Sequence, residues 1–365
     1  MTSKKVKALP PGSTIGILGG GQLGRMLALA AARLGFHTHI YGPDAGGPAA
    51  EVASAETIAA YDDLDALYRF TKACDVVTYE FENVPAMSAR TAANAGTLRP
   101  NAKALDVAQD RLTEKTFIRE QAGVAVADFR AVENVHEARR AIRHLGLPAV
   151  IKTRRFGYDG KGQAVIRAES DLESAFDALP KNAPCIVEAF VPFAREVSIV
   201  AARGVNAQHA SYPLIENVHV NHILHTSTVP APNTPAELSA RAAELALKIM
   251  DKLDYIGVMA TEFFELEDGT LIVNEIAPRV HNSGHWTQDA GCVDQFELHI
   301  RAIAGWPLGS TEPLLDVVMT NLIGADAARA SELAELENTH IHLYGKSEAR
   351  EGRKMGHINQ VAPKV

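Results

Sequence analysis

The strongest constraint on the fold is a glycine-rich turn near the N-terminus, set between an apolar segment and a helical one. Thr14–Leu18 is typical of a short buried strand, a Gly-x-Gly-x-x-Gly motif follows at 19–24, and Gln22–Leu34 is rich in Ala and Leu. His37–Tyr41 is then predicted to be the next strand. This strand–turn–helix–strand order predicts a parallel sheet, and therefore an α/β fold at this end of the chain.

The same turn suggests a ligand. Its glycines let backbone N–H groups at the start of the helix approach a phosphate, and Asp44 follows Gly24 at the distance where a nicotinamide-dependent dehydrogenase places its ribose-binding acid. A tight turn without a ligand fits the residues as well. The motif alone leaves both interpretations open.

Composition narrows the class of protein. A chain of 365 residues is long enough for two or three domains, and a net charge of −8 argues against non-specific nucleic-acid binding. No apolar run approaches the roughly 18 residues of a membrane span, and the first seven residues lack the apolar core of a signal peptide. The three cysteines lack metal-ligand spacing and indicate reduced thiols. We therefore expect a soluble cytoplasmic protein without nucleic-acid or membrane partners.

A second glycine-rich loop, at 154–163, lies between the predicted strands Pro148–Lys152 and Ala164–Ile166. It carries three glycines in six residues together with Arg154, Arg155 and Lys161. Such a loop can fold over a polyphosphate, and Lys152 can add a point charge. No helix with Gly-Lys-Ser/Thr follows, so the loop is not a Walker A motif. The alternative is an ordinary hairpin loop.

An acidic hairpin follows the predicted helix Ala236–Leu253. Asp268-Gly269 is typical of a two-residue turn, and counting back from it places Glu262 directly opposite Glu275. Like charges at facing positions are destabilising, and a divalent cation between them would relieve the repulsion. Strict alternation turns Asn274 to the other face, so a local bend is needed for it to join the site. Two solvated surface glutamates are the alternative.

Two further segments are polar and poor in core-forming residues. Residues 278–287 adjoin the acidic strand and carry Arg, His, Asn, Ser and Thr side chains, as substrate-binding loops often do. Residues 350–357 set Arg353 and Lys354 between glycines, a pattern suited to a phosphate monoester. A connecting loop and a solvated basic turn are the respective alternatives.

Together the segments resemble the N5-carboxyaminoimidazole ribonucleotide synthetases of the ATP-grasp superfamily. The motifs that carry the resemblance span nearly the whole chain, and the stretch from Arg279 to Thr287 is specific to that family. They are Gly-Gly-Gln-Leu-Gly-Arg-Met at 20–26, Asp-Arg-Leu-Thr at 110–113, Gly-Tyr-Asp-Gly-Lys-Gly-Gln at 157–163, Asn-Glu-Ile-Ala-Pro-Arg-Val-His-Asn-Ser-Gly-His-Trp-Thr at 274–287, and Gly-Arg-Lys-Met-Gly-His at 352–357.

The resemblance implies an α/β fold, α+β overall, in three parts after a flexible tail at 1–12. A Rossmann-like pre-ATP-grasp domain is expected at 13–105 and a two-lobed ATP-grasp domain at 106–305, with its lid lobe at about 110–187. A small β-rich C-terminal domain is expected at 306–365. Family members carry a further helical segment beyond this point, so that domain is expected to be truncated. The assembly expected from the resemblance is a homodimer.

The family's reaction joins ATP, bicarbonate and 5-aminoimidazole ribonucleotide through carboxyphosphate, with Mg²⁺ as cofactor. The resemblance implies a metal site of Glu262, Glu275 and Asn274, and catalytic roles for Asp159 and Lys354. ATP would be bound by Arg111, Lys152, Gly157, Tyr158, Asp159, Gly160, Lys161, Gly162, Gln163, Glu188, Ala189, Phe190, Val191, Glu196, His219, Asn274 and Glu275. The ribonucleotide would be bound by Gln22, Leu23, Glu80, Asn83, His281, Ser283, Arg353 and Lys354.

Three alternatives remain from the residues themselves. A formate-dependent glycinamide ribonucleotide transformylase is also an ATP-grasp ligase that uses an acyl phosphate, but residues 281–287 argue against it. A dehydrogenase leaves the second glycine-rich loop and the acidic hairpin unexplained. A non-catalytic nucleotide-binding module would not need an intact acidic pair.

Overall fold

The computed structural model describes residues 7–157 and 160–364. No helix within these ranges is long and apolar enough to cross a membrane. The α-helices are α1 Gln22–Arg33, α2 Leu64–Lys72, α3 Ala86–Ala95, α4 Ala102–Ala108, α5 Arg111–Thr116, α6 Val135–Leu145, α7 Leu172–Asp177, α8 Ala236–Lys252, α9 Gln295–Ala304 and α10 Ala330–Leu333.

The strands form three sheets. They are β1 Thr14–Leu18, β2 His37–Gly42, β3 Ala55–Ile58, β4 Val76–Tyr79, β5 Phe129–Val132, β6 Ala149–Thr153, β7 Gln163–Ile166, β8 Cys185–Ala189, β9 Arg195–Arg203, β10 His209–Ser211, β11 Ile215–Val220, β12 Ile223–Val229, β13 Gly257–Glu265, β14 Leu271–Ala277, β15 Leu315–Ile323, β16 Thr339–Leu343 and β17 Lys354–Pro363.

The first sheet is parallel, as the opening of the sequence predicts, with strand order β3-β2-β1-β4. Strand β4 is buried along its whole length, which is typical of a parallel strand covered on both faces. Helix α1 packs against α9 on one side. The carboxyl ends of β1 and β4 bring the glycine-rich turn next to residues 80–83, so this edge can contribute to a site.

Strands β5–β8 form a separate four-stranded antiparallel sheet, ordered β5-β8-β6-β7, which we call the lid sheet. Helices α6 and α7 cover it, and a small apolar core of its own lies beneath them. The second glycine-rich loop connects β6 to β7. The loop is therefore carried by a sheet that, in the described part of the chain, shares no strand pairing with the other two.

The remaining strands form one large sheet, ordered β14-β13-β9-β11-β12-β15-β17-β16, with β10 paired to β9. Strand β12 pairs with β15 over Thr226–Val229, so the C-terminal strands continue the sheet that carries the acidic hairpin. The core on this sheet includes the fully buried Trp286 and Phe296. Elements far apart in sequence are thus held in one rigid layer.

The acidic hairpin differs from the sequence-based prediction in its turn. Leu266 and Thr270 are hydrogen bonded, so the loop has three residues, and Gly269 takes the left-handed conformation at φ 80°. This loop shifts the pairing by one residue, to Glu265 opposite Leu271. A β-bulge between Glu262 and Phe263 then restores it, and Glu262 does lie opposite Glu275. Asn274 is the extra residue of the bulge, which supplies the bend that it needs.

Residues 106–122 are charged and amphipathic throughout, and this pattern predicts a single helix, but the structure divides the segment. Helix α4 ends at Ala108, and Asp110 begins α5 by accepting hydrogen bonds from the amides of Leu112 and Thr113 at 3.0 and 3.3 Å. A turn of π-helix follows over Phe117–Gln121. An Asp that caps a new helix outweighs the continuous amphipathic pattern, because it satisfies amides that would otherwise lack partners.

Candidate active site

A cavity of about 660 Å³ lies between the three sheets, and most of the predicted site residues line it. Its walls come from the parallel sheet edge, the lid sheet and the large sheet. The predicted residues that line it are Gln22, Leu23, Glu80, Asn83, Arg111, Lys152, Gly157, Gly160, Lys161, Gln163, Glu188, Ala189, Phe190, Val191, Glu196, His219, Glu262, Asn274, Glu275, His281 and Lys354.

Five predicted residues are not among these lining residues. Tyr158 and Asp159 lie outside the described residues. Gly162 is near the end of the loop, and its carbonyl accepts a hydrogen bond from the Thr153 amide at 2.8 Å. Ser283 and Arg353 are also set back from the cavity and are described below.

The glycine-rich turn is closed by an internal carboxylate. Glu80, at the end of β4, accepts hydrogen bonds from the amides of Gly21 and Gly24, the latter at 2.6 Å. A Cβ at Gly19 would lie 2.4 Å from Glu80 Cγ, so only glycine permits this approach. Burial raises the pKa of Glu80 although both amides favour its charged form. The amides that a dinucleotide pyrophosphate would need are engaged, which argues against the dehydrogenase.

A buried ionic cluster lies at the lid side of the cavity. Lys152 of β6 and Lys115 of α5 both contact Glu188 Oε2, at 2.9 and 3.3 Å. Burial alone would raise the pKa of Glu188, but the charges of the two lysines bring it down to about 2. Burial lowers the pKa of Lys152. Glu188 Oε1 is buried with no hydrogen-bond partner among the described residues, so this wall offers an acceptor to a ligand.

The acidic pair lies beside a cation and an unpartnered amide oxygen. Arg111 donates to Glu275 Oε2 at 3.0 Å, and burial together with the charge of Glu275 raises the pKa of Glu262 to about 7. Asn274 Oδ1 is buried and has no partner among the described residues. Two carboxylates and an amide oxygen are the hard donors that Mg²⁺ prefers. The residues present therefore fit a magnesium site.

Glu196 and His219 form the wall next to this site. His219 Nδ1 lies 3.2 Å from Glu196 Oε1, across the pairing of β9 and β11. Burial would lower the pKa of His219, but its contact with Glu196 and the charge of Glu262 raise it above the ordinary value. A charged His219 would keep Glu196 oriented toward the cavity.

The polar segment after β14 is fixed by ion pairs and amide contacts. Arg279 pairs with Glu82, and Gln295 of α9 binds both the amide and the carbonyl of His281, at 2.9 and 2.7 Å. His281 faces the cavity, with Nε2 3.3 Å from Glu262 Oε1. Ser283 is fully buried behind it and contacts His281 Nδ1 at 2.9 Å. Ser283 therefore contacts the cavity only through His281.

Of the two predicted C-terminal cations, Lys354 lies in the cavity wall and Arg353 lies in the turn beside it. Lys354, the first residue of β17, lines the cavity. Arg353 instead donates to the Glu348 carbonyl at 2.9 Å. Lys346 donates to the Lys354 carbonyl at 2.6 Å, and burial with the charges of Arg353 and Lys354 lowers the pKa of Lys346 to about 8. This third cation near the site has no motif that would reveal it in the sequence.

Lys115 was also not predicted, although one signal for it exists. It follows Arg111 by four residues on α5, so the two cations share one helix face. A lysine on a face that must be buried indicates an ion pair. Its partners, Glu188 and the Asn274 carbonyl at 3.1 Å, are too far along the chain to be identified from the sequence.

Comparison with protein families matches three domain models in order along the chain. A ribonucleotide synthetase preATP-grasp domain matches residues 13–109, an ATP-grasp domain matches 117–296, and a phosphoribosylaminoimidazole carboxylase C-terminal domain matches 317–365. The N5-carboxyaminoimidazole ribonucleotide synthase of Brucella melitensis is 51% identical over 362 residues, which cover 98% of this chain and 99% of that protein. The Bacillus subtilis enzyme of the same name is 42% identical over 95% of this chain and 91% of that one.

Solved structures give the same result. The Staphylococcus aureus N5-carboxyaminoimidazole synthetase complexed with ADP superposes with a TM-score of 0.93 at 39% identity, covering 99% of this chain and 96% of that one. The Aspergillus clavatus synthase in complex with ADP and 5-aminoimidazole ribonucleotide has a TM-score of 0.90 at 31% identity, with 97% and 95% covered. By sequence and by fold, this chain belongs to the N5-carboxyaminoimidazole ribonucleotide synthase family.

Proposed function

We propose that this chain uses ATP and bicarbonate to carboxylate 5-aminoimidazole ribonucleotide on its amine, in de novo purine biosynthesis. The products are N5-carboxyaminoimidazole ribonucleotide, ADP and phosphate. The observation that carries the proposal is the shared cavity. It places the buried Lys152–Glu188 pair, the acidic pair Glu262 and Glu275, and Lys354 around one space. The relatives in complex with ADP and with the ribonucleotide support the same pair of substrates.

ATP would lie against the lid sheet. Lys152 and Arg111 would neutralise its phosphates, with residues 157–163, including Tyr158 and Asp159, closing above them. The adenine would meet β8 and the residues after it, where Glu188 Oε1 is an acceptor without a partner. Glu196, held by His219, would take the ribose hydroxyls.

Mg²⁺ would be held by Glu262, Glu275 and Asn274 and would neutralise charge on the phosphates when bound. The protein's own contribution is to keep these three oxygens together. Arg111 shares Glu275, and the β-bulge directs Asn274 toward the pair. The carboxylates are held in place by the sheet before any ligand arrives, so little reorganisation is needed.

The ribonucleotide would lie at the opposite end, between the glycine-rich turn and β17. Gln22, Leu23, Glu80 and Asn83 would contact it from one side and His281 from the other, while Lys354 and Arg353 would bind its 5′-phosphate. Arg353 does not line the cavity, so we expect it to contribute less to phosphate binding than Lys354. Asp159 and Lys354 would orient the amine and the carboxylating species.

In the proposed reaction, a bicarbonate oxygen attacks the γ-phosphorus and ADP leaves, giving carboxyphosphate. The amine nitrogen then bonds to the carboxyl carbon, phosphate leaves, and the amine loses a proton. Carbon dioxide released from carboxyphosphate is an equivalent carboxyl donor. The cavity would contribute by positioning the reactants and, with the second glycine-rich loop closed over it, by keeping water from the acyl phosphate.

We further propose that the chain is a cytoplasmic homodimer with functional parts at 13–105, 106–305 and 306–365. The three cysteines are free, as a reducing compartment requires. The homodimer rests on the family resemblance, and light scattering of the purified protein would measure it.

ADP release in the presence of ATP and Mg²⁺ tests the proposed function. We expect turnover to require both bicarbonate and aminoimidazole ribonucleotide, and formate to be unable to replace bicarbonate. Glycinamide ribonucleotide in place of the aminoimidazole substrate is the matched control for the transformylase alternative. Turnover with formate and glycinamide ribonucleotide would overturn the proposal.

A further inference from the structure

A row of buried polar side chains crosses the large sheet behind the cavity. Ser227 of β12 donates to Asn217 Oδ1 at 2.8 Å, and Asn217 of β11 donates through Nδ2 to Ser198 of β9, also at 2.8 Å. Ser198 and Ser227 are fully buried, and Asn217 is 6% exposed. Buried polar groups are costly unless they are satisfied, so such a row indicates a role.

The row leads to the cavity. Ser198 donates to Ser283 Oγ at 2.9 Å, and Ser283 Oγ lies 2.9 Å from His281 Nδ1. The other ring nitrogen of His281, Nε2, is 3.3 Å from Glu262 Oε1. The side chains Ser227, Asn217, Ser198 and Ser283 therefore connect the interior of the sheet to the acidic pair through one imidazole ring. We call them the polar row.

The direction of these hydrogen bonds is set by a backbone group. The Ser283 amide lies 3.3 Å from His281 Nδ1, and an amide N–H can only donate. Nδ1 must then be the bare, accepting nitrogen of a neutral ring, and the Ser283 hydroxyl also donates to it. The Ser283 oxygen is left to accept from Ser198, which agrees with the donors along the row.

We infer that the polar row is a positioning device for the proposed reaction, holding His281 as the Nε2–H tautomer that donates a hydrogen bond to Glu262. Ser283, Ser198, Asn217 and Ser227 are positioning residues, since they act through His281. This departs from the expectation that Ser283 itself binds the ribonucleotide. The kinetic consequence rests on the proposed function, whereas the tautomer does not.

A neutral donor suits this position chemically. A hydrogen bond from Nε2 fixes one oxygen of Glu262 and leaves the other free for a cation. The ring adds no positive charge that would compete with that cation, because an Nδ1 that accepts from the Ser283 amide carries no proton. Gln295 holds the backbone of His281 separately, so the row orients the ring without being needed to fold the segment.

The first test observes the tautomer directly in the protein without substrates. Long-range ¹H–¹⁵N correlation spectra of ¹⁵N-histidine-labelled protein distinguish bare from protonated ring nitrogens, and the His281→Gln spectrum assigns the signal. We expect a bare Nδ1 and a protonated Nε2 at neutral pH. A protonated Nδ1, or a charged ring, would overturn the inference.

The second test breaks the row. Ser283→Ala and Ser198→Ala weaken the hold on Nδ1, which keeps the longer contact from the Ser283 amide at 3.3 Å, so we expect the Nδ1–H tautomer to appear as a minor form. The magnesium concentration for half-maximal turnover should rise by about three- to tenfold, the size expected for one lost hydrogen bond. Ser88→Ala is the matched control, since Ser88 is 1% exposed and its hydroxyl donates to the Tyr61 carbonyl, away from the row. An unchanged tautomer and magnesium response in both row variants would refute the role of the row.

A third pair of variants tests the donor itself. The terminal amide of His281→Gln can reach the position of Nε2 and donate, whereas that of His281→Asn replaces Nδ1. We expect Gln to retain more turnover than Asn at limiting magnesium, and equal losses would count against the donor role. If the spectra show the expected tautomer while neither the wild type nor any variant has ribonucleotide-dependent turnover, the proposed function fails and the tautomer stands.

Discussion

Glu262 and Glu275 are the side chains on which the proposed activity depends most. Glu275→Gln keeps the size of the side chain and removes an anionic ligand, and Glu262→Gln does the same on β13. We expect each to lower turnover at limiting magnesium by roughly a hundredfold, since metal ligation contributes several kcal/mol to such reactions. Glu267→Gln is the control, because Glu267 is exposed at the tip of the same hairpin. Near wild-type turnover in both variants would remove the acidic pair from the metal site.

Glu114 gives a prediction about pH and stability. Burial and the charge of Glu275 raise the pKa of Glu114 to about 8, and its Oε1 accepts from the Ile276 amide at 2.7 Å. The folded state therefore keeps a proton that the unfolded chain releases near the ordinary pKa, and stability falls as pH rises between these two values. Glu114→Gln stays uncharged and its amide oxygen can still accept.

The melting temperature of Glu114→Gln relative to wild type should thus increase from pH 5 to pH 8 and level off above. Thermal denaturation of the two proteins at pH 5, 7 and 9 measures this. A constant difference across the range would show that Glu114 does not hold its proton in the folded state.

Lys354 and Arg353 are adjacent in sequence but differ in position, and their variants should differ too. Lys354→Ala should raise the KM for the ribonucleotide by about tenfold or more, as expected for loss of a charged hydrogen bond, and also lower kcat. Arg353→Ala should affect KM alone, and less strongly. Arg350→Ala is the control, because Arg350 is exposed and pairs with Glu348. Initial rates against each substrate separate these effects, and a change in the KM for ATP would contradict the assignment.

At the level of elements, the second glycine-rich loop meets the β11–β12 hairpin across the cavity. Gly160 has φ 75°, and a Cβ there would lie 2.4 Å from His222 Cβ. Gly160→Ala should therefore hold the loop away from the hairpin and raise the KM for ATP. Gly146→Ala is the matched control, since Gly146 has φ 86° but open space around it, so it carries only the backbone cost. Equal ATP kinetics in the two variants would show that the contact does not matter.

The sequence predicts helices and strands better than it predicts the turns and bulges that interrupt them. Thr14–Leu18 matches its predicted bounds, and helix α8 ends one residue before its predicted end, because period and composition agree over each segment. The facing of Glu262 and Glu275 was predicted from a two-residue turn that the structure does not have. A three-residue loop and a bulge shift the register by one residue each and cancel. Neither shift follows from the sequence, because Asp268-Gly269 fits a two-residue turn and a three-residue loop with a left-handed glycine alike.

The site shows the same limit. Lys152 and Glu275 were predicted from the pattern of the residues and Glu188 from the family resemblance, and the structure brings all three to one cavity. Lys115 and Asn217 were not predicted, since each acts through a residue distant in the chain, and Lys346 was not predicted because it belongs to no motif. Side chains that contact ligands leave motifs in a sequence, whereas the residues that position those side chains are found only from the fold.

At the scale of the whole molecule, the separate lid sheet predicts where ATP changes the dynamics. Strands β5–β8 share no pairing with the large sheet, whereas β15–β17 continue it. We expect Mg-ATP to slow amide hydrogen exchange chiefly in β6 and β7, and the ribonucleotide alone to leave them unchanged. Hydrogen-exchange mass spectrometry measures both. Equal protection of the large sheet and the lid sheet by Mg-ATP would contradict a mobile lid.

The bulge beside Asn274 separates the tip of the acidic hairpin from the residues that would bind the cation. Strand β13 pairs with β9 without interruption from Gly257 to Glu265. This pairing fixes the position of Glu262 in the sheet independently of the hairpin tip. We therefore expect a longer or shorter loop at the exposed tip around Asp268 to leave the acidic pair in place. The same freedom makes the tip a suitable place to insert a tag or a fluorescent reporter in a working enzyme.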